Sequence, residues 1–467
     1  MRLTVNGIPV DMNGSTPVKR KDGSSAPFRL LLPSSEFTID VHALAGTFPI
    51  DAESVEIRAQ GERLAIEPTR EDGNAFHYFV PTDHPLLPRD AVLLIASIAD
   101  VHGTRGESNA LTVSIASRDA AMDPFEREDV WLLDFERDHF AITGEVGSDG
   151  APAVRVLPGA NGIADFDEDL RLLGLRSEET GSHASTVEHR GARGTNAIFR
   201  GFLIEAILAQ LRANFFQAAD GTQTRDSVRI RFLVRGEAGA PDPAEFRTDG
   251  AFSIMGIGGA EKGGDGQELG RAQIDWNNRH ADDDSKDGLG VFTTVAARRI
   301  LKEPIGQRFL GAFLPGSGTP LGMSNDDAAI LAADLDPLRI QASAAESGAS
   351  TSAASASAVA RANTLAVAVG IASVALAALI AHEIGHSLGL VPPGLPPCGL
   401  FGGENSASFS VAPTDPAHID TPGLNIMQPG TNLRFSDLAT GLPQFNPLNL
   451  AYLRRRLLVS GAPCAKD

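Results

Sequence analysis

From residue 1 to about residue 117, apolar and polar positions alternate in short runs, each closed by turn-forming residues: "RLTVNG", "FTIDVHAL", "SVEIRAQ", "FHYFVPT", "VLLIASIAD" and "ALTVSIAS". Successive side chains of a strand point to opposite faces, so each run predicts a strand with one apolar face. Many such strands separated by regular turns predict a β-sandwich. The polar, proline-punctuated stretch "SRDAAMDPFERED" (Ser117 to Asp129) reads as the end of this part, with a linker at 118–129.

The pattern changes after Val130. "VWLLDF" is a compact apolar run expected to be a strand, and "NAIFRGFLIEAILAQLRANFF" (Asn196 to Phe216) repeats its apolar residues at helical spacing, with Asn196 placed to cap it. "SVRIRFLVRG", "FSIMGIGG" and "GRAQIDWNN" follow as further strands, giving an α/β (α+β) arrangement with a long helix behind a sheet. "NPLNLAYLRRRL" (Asn446 to Leu457) predicts a closing helix, with Asn446 as cap and Pro447 in its first turn.

Between these lie an Ala/Ser tract at 343–362 and the uncharged run "TLAVAVGIASVALAALIA" (Thr364 to Ala381). The tract reads as a loop or, because alanine is the best helix former, as an extension of the helix after it. The run has 18 residues, the lower limit for crossing a membrane. Its alanine content and its direct continuation into His382 and Glu383 predict a buried helix instead, and no stable membrane insertion.

With 467 residues the chain exceeds what one hydrophobic core usually organises, so a multidomain protein is expected, with parts at 1–117 and 130–467. The 59 acidic against 40 basic residues give a formal charge of -19, which repels phosphate backbones, so nucleic acid is not an expected partner. The aspartate-rich stretches "DFDED" (Asp165 to Asp169) and "DDDSKDG" (Asp282 to Gly288) read as solvated loops, with calcium binding as the alternative. Only Cys398 and Cys464 are present, enough for one optional bridge and too few for a thiolate metal site. His42, His77, His84 and His102 lack ligand spacing and read as surface or turn residues, and His280 reads as a surface residue with a structural metal ligand as the alternative.

The stretch that carries chemistry is "AHEIGHSLGL", from Ala381 to Leu390. Positions i and i+4 share one face of a helix, so His382 and His386 can aim two imidazoles at one metal ion. Glu383 sits beside them, placed to take a proton from a metal-activated water. Gly389, three positions after the second histidine, permits the left-handed turn that ends the helix.

These residues resemble the metzincin clan of zinc endopeptidases, whose pattern H-E-x-x-H-x-x-G-x-x-H is followed by a methionine turn. "HEIGHSLG" matches through Gly389, but the last position is Pro392, which has no ligand atom. Downstream, "NIMQPG" resembles the methionine turn, with Met427 beneath the metal. His418 precedes Met427 by nine residues, a separation similar to that between third ligand and methionine in the clan. The resemblance therefore implies His418 as third ligand after a loop insertion at 392–417, with Asp420 and Glu404 as alternatives. "GRAQIDWNNRHADDDSKDGLGVF" (Gly270 to Phe292) resembles the strand region that lies against bound peptide in this clan. Some relatives have a tyrosine after the turn methionine; here that residue is Gln428.

A second resemblance concerns the first part. "LLIASIADVHGTRGESNALTVSIAS" (Leu93 to Ser117) is similar to the last hairpin of immunoglobulin-like modules of bacterial surface proteins. Together the two imply an N-terminal all-β immunoglobulin-like sandwich followed by a metzincin-like zinc peptidase acting on protein or peptide. Zn2+ would be held by His382, His386 and His418, with Glu383 as general base. The alternative is a surface adhesive protein in which the zinc site is structural. Secretion or display at the cell surface is the expected location, although the segment from Met1 lacks the apolar core of a signal peptide.

Overall fold

The computed structural model describes residues 1–5, 8–9, 18–19, 25–26, 30–32, 36–43, 48–72, 74–81, 92–108, 110–115, 121–122, 128–146, 152–177, 187–224, 227–263, 266–275, 278, 280–286, 288–315, 317–324, 326–336, 338–341, 352–390, 411–412, 415–419, 425–428, 434, 442–445, 447–454 and 459–460. They form a mixed α/β protein with several sheets.

The first part is all β. One sheet runs Ile8–Pro9, Arg2–Val5, Glu36–His42, Ala75–Pro81, Arg70–Asp72 in spatial order. The other runs Leu30–Leu32, Leu111–Ile115, Val92–Asp100, Ile50–Ala59, Glu62–Arg63, with Arg105–Glu107 paired to Val92–Asp100. The period-two pattern sets the faces: Ile39, Val41, Phe76, Tyr78 and Val80 of one sheet and Ile57, Ala59, Leu94, Ala96 and Ile98 of the other are buried in a shared hydrophobic cluster. The intervening Asp40 and His77 meet on the outer face at 2.7 Å, and His102 stacks edge-on against Phe48. These histidines occupy the surface and turn positions expected of them.

Within the stretch expected to be a linker, Ala121–Met122 pairs antiparallel with Val459–Ser460, so this segment is tied to the far end of the chain. Beyond it lies a four-stranded parallel sheet in the order Ile230–Val234, Asp129–Asp134, Ser253–Gly256, Asp283–Asp284. Trp131, Leu132 and Leu133 are buried on both faces, as a covered parallel sheet requires.

Two long helices pack against each other here, Val187–Asn214 and Ser352–Ser387. The first buries Phe199, Leu203, Ile207 and Leu211, a stripe at helical spacing. It starts nine residues before Asn196, so the expected cap is not there. Asn196 is buried mid-helix, and its amide bonds both the N–H and the C=O of Ser177. The Ala/Ser tract is helical from Ser352 onward, which lengthens the second helix to 36 residues. That helix is long and apolar enough to cross a membrane by composition, but 61% of its most apolar window is buried inside the protein. Ala375 to Leu390 are all buried, so the end carrying HEIGH lies in the core.

Candidate metal centre

The helix that carries HEIGH ends through two hydrogen bonds. The N–H of Gly389 donates to His386 O at 2.9 Å and that of Leu390 to Gly385 O at 2.9 Å. Gly389 has φ +84°, the left-handed conformation that this pair of bonds needs and that glycine adopts without strain. Tyr452, on the closing helix Pro447–Leu453, donates its hydroxyl to Leu388 O at 2.8 Å and satisfies one of the helix's terminal carbonyls.

One turn earlier, His382 and His386 face each other with Nε2 atoms 3.1 Å apart and rings inclined at 84°. Two nitrogens bound tetrahedrally to one zinc at ordinary bond lengths stand about 3.3 Å apart, so the two rings already hold ligand spacing. His382 Nδ1 donates to the carbonyl of Ile426 at 2.6 Å. A carbonyl can only accept, so the proton sits on Nδ1 and the Nε2 lone pair points at the common position.

The segment that supplies this carbonyl is Asn425–Gln428. Asn425 Oδ1 accepts from the N–H of Met427 at 3.1 Å, and Ile426 N–H donates to Gln444 O at 3.0 Å. Met427 is fully buried against the helix: a Cβ added at Gly385 would lie 2.6 Å from its sulfur. The methionine therefore packs in the space that Gly385 leaves open, between the two histidines in sequence.

Glu383 is buried on the opposite side, against the strand Gly270–Arg271, where a Cβ on Gly270 would overlap Glu383 Oε1. Burial first, then the charges of Asp284 and Glu268, push its carboxyl well above the usual range, with Arg271 opposing them. Asp284 is itself buried; its Oδ2 accepts from Ser387 Oγ at 2.7 Å and its Oδ1 from the N–H of Gln273 at 2.8 Å. Burial pushes its carboxyl up to about 7.

Two of the expected ligands are thus brought together, while the carboxylate of the expected base, on the residue next to His382, is buried against Gly270. His418 lies on the strand Asp415–Ile419, which pairs antiparallel with Val411–Ala412, and its side chain lies outside the described residues. Asp420, Glu404, Cys398 and Cys464 also lie outside them. Among the described residues, no group of three or more His, Cys, Asp or Glu side chains converges on a metal position.

The aspartate-rich stretches are not solvated loops. Asp165–Leu172 is a helix in which Asp165, Asp167, Glu168 and Asp169 are buried, and Asp282, Asp283 and Asp284 are buried at the sheet edge. Asp169 accepts from Thr293 and Thr294 hydroxyls and from the N–H of Gly259. Asp165 accepts from the N–H of Phe140 at 3.0 Å. Backbone and hydroxyl donors scattered from Phe140 to Thr294 have no sequence signature, which is why composition does not reveal them. His280 is exposed and lies 3.6 Å from Asp275, as a surface residue.

Sequence reasoning missed Gly270, Asp284, Ser387 and Ile426 as parts of this site. Ser387 directly follows the second histidine and Ile426 directly precedes Met427, so adjacency was the available signal; Gly270 and Asp284 fall in the Gly270–Phe292 stretch expected beside bound peptide, but nothing in the sequence placed either one against the helix.

No protein-family pattern matches the chain, and no curated protein matches it. Among solved structures, the major pilin subunit of Bacillus cereus aligns at 10% identity over 34% of this chain and 54% of its own, with a TM-score of 0.09. This chain thus spans about half the length of that one, and a superposition of that quality carries no information on fold or activity.

Proposed function

We propose that the chain is a zinc-dependent endopeptidase, with an immunoglobulin-like module at 1–117 preceding a metzincin-like catalytic part at 130–467. The observation that carries this reading is the convergence of His382 and His386 Nε2 atoms at 3.1 Å, with His382 held in the metal-binding tautomer by Ile426 O. The buried Met427 beneath Gly385 and the buried Glu383 beside the pair support it.

In this reading His382, His386 and His418 hold the ion. Zinc in such a site supplies Lewis-acid polarisation of the scissile carbonyl and makes water acidic enough to be deprotonated near neutral pH. Glu383 accepts the proton of the attacking water and hands it to the leaving amine. Its burial against Gly270 restricts it to few orientations and excludes bulk water, which suits a base with a single task. Ile426 and Met427 hold the His382 ring in place without binding the ion.

Glu383→Gln tests the base while keeping the shape of the side chain. The expected result is loss of peptide hydrolysis by at least about 100-fold, in the range of general-base contributions, with zinc content unchanged. A wild-type protein that binds zinc but cleaves no unfolded protein substrate, and behaves in every respect like Glu383→Gln, points instead to an adhesive protein with a structural site.

A further inference from the structure

Gln273 is tied to the metal-centre helix by its backbone. Its N–H donates to Asp284 Oδ1 at 2.8 Å, and its carbonyl lies 3.1 Å from Ser387 Oγ, whose single proton has its shorter contact with Asp284 Oδ2 at 2.7 Å. A third bond runs from the Gln273 side-chain amide to Asp283 O at 2.9 Å. Ser387 is four residues after Glu383, so the two share one helix face. Three residues before Gln273, Gly270 rests its backbone directly on the Glu383 carboxylate. The extended segment 270–273 therefore lies along the helix face from Glu383 to Ser387, fastened at its Ser387 end.

We infer that Asp284 and Ser387 form a clamp that fixes the height of the Gly270–Gln273 segment over Glu383, and so act as positioning residues for that carboxylate. The inference rests on the peptidase reading for its catalytic consequence, but the clamp itself is a separate claim. Asp284 has one oxygen for the helix and one for the segment 270–273, so neither partner can shift without breaking a buried hydrogen bond. Of Glu383, Ser387 Oγ meets only the backbone carbonyl, at 3.5 Å, and among the described residues the Glu383 carboxylate has no hydrogen bond to Asp284 or Ser387; its position is set by the backbone that these two hold down. Gly270 is part of the same device, because a side chain there would overlap the Glu383 carboxylate and force it or the segment to move.

The test uses the full chain and the variants Ser387→Ala, Asp284→Asn and their double. Amide hydrogen exchange is expected to show Gln273 protected in the wild type and exchanging at least about tenfold faster in each variant, with Ile254–Gly256 unchanged, since loss of one such bond is worth roughly that factor. With a peptide substrate, kcat is expected to fall about tenfold and KM less than threefold at equal zinc content, with the double variant no worse than the poorer single one, as members of one unit behave. An unprotected Gln273 amide in the wild type overturns the clamp even if every variant fails to fold. So do unchanged exchange in Ser387→Ala, or losses that add in the double variant. If the wild type hydrolyses no peptide while exchange responds as stated, the clamp stands and the peptidase reading falls.

Discussion

His382 donates from Nδ1 to the carbonyl of Ile426 at 2.6 Å, across 44 residues of sequence. This bond places the ring proton on Nδ1 while Nε2 faces His386 Nε2, and it ties the turn before Met427 to the candidate metal centre.

The zinc reading makes a prediction for metal binding. The protein is expected to take up one zinc ion, and its affinity is expected to fall on acidification, because protons compete with the ion for the imidazoles. Elemental analysis after dialysis is expected to find zinc lost in His382→Ala, His386→Ala and His418→Ala, and kept in Asp420→Ala and Glu404→Ala. Zinc retained by His418→Ala would reassign the third ligand.

Two glycines of the same helix make opposite predictions. At Gly385 an added methyl meets the Met427 sulfur at 2.6 Å, whereas at Gly370 it meets nothing within 4 Å. Gly385→Ala is expected to cost about 1–3 kcal/mol through overpacking, and to weaken zinc binding by displacing the Ile426 carbonyl. Gly370→Ala is expected to stabilise by about 0.5–1 kcal/mol, the helix preference of alanine over glycine. Denaturant unfolding of the metal-free variants measures both, and equal effects would mean that Met427 does not press on the helix.

Buried carboxyls give the stability a pH slope. Burial pushes Asp169 up to about 8, against bonds from Thr293 and Thr294 that oppose the shift, and pushes Asp282 to about 8 and Asp165 to about 6. Each is raised above its unfolded value near 3.8, so between the two values the folded chain holds a proton that the unfolded chain has released. Their contribution is full below about pH 4 and is lost as pH rises through the folded values, by at most about 1.4 kcal/mol per pH unit for each group. The melting temperature of the metal-free protein is therefore expected to fall from pH 5 to pH 8. Asp169→Asn, which carries no titrating proton, is expected to flatten that slope, and an unaltered slope in this variant would show that Asp169 stays ionised in the fold.

Periodicities and local chemistry follow from the order of neighbouring residues alone. Alternation at Ile39, Val41, Phe76 and Tyr78 is a property of neighbouring residues, and so are the i, i+4 histidines and the exit at Gly389; a strand or helix places them the same way in any surroundings. The tertiary structure decided everything that depends on a distant partner. Asn196 looked like a cap because helix ends favour asparagine, yet a buried amide with Ser177 to bond is equally satisfied mid-helix. Asp165, Asp169 and Asp284 read as solvated because carboxylates seldom enter a core, but strands and hydroxyls far along the chain supply their donors. Gly270 and Asp284 joined the site for the same reason: hydrogen bonding and close approach act between neighbours in space, and only the folded chain decides who those are.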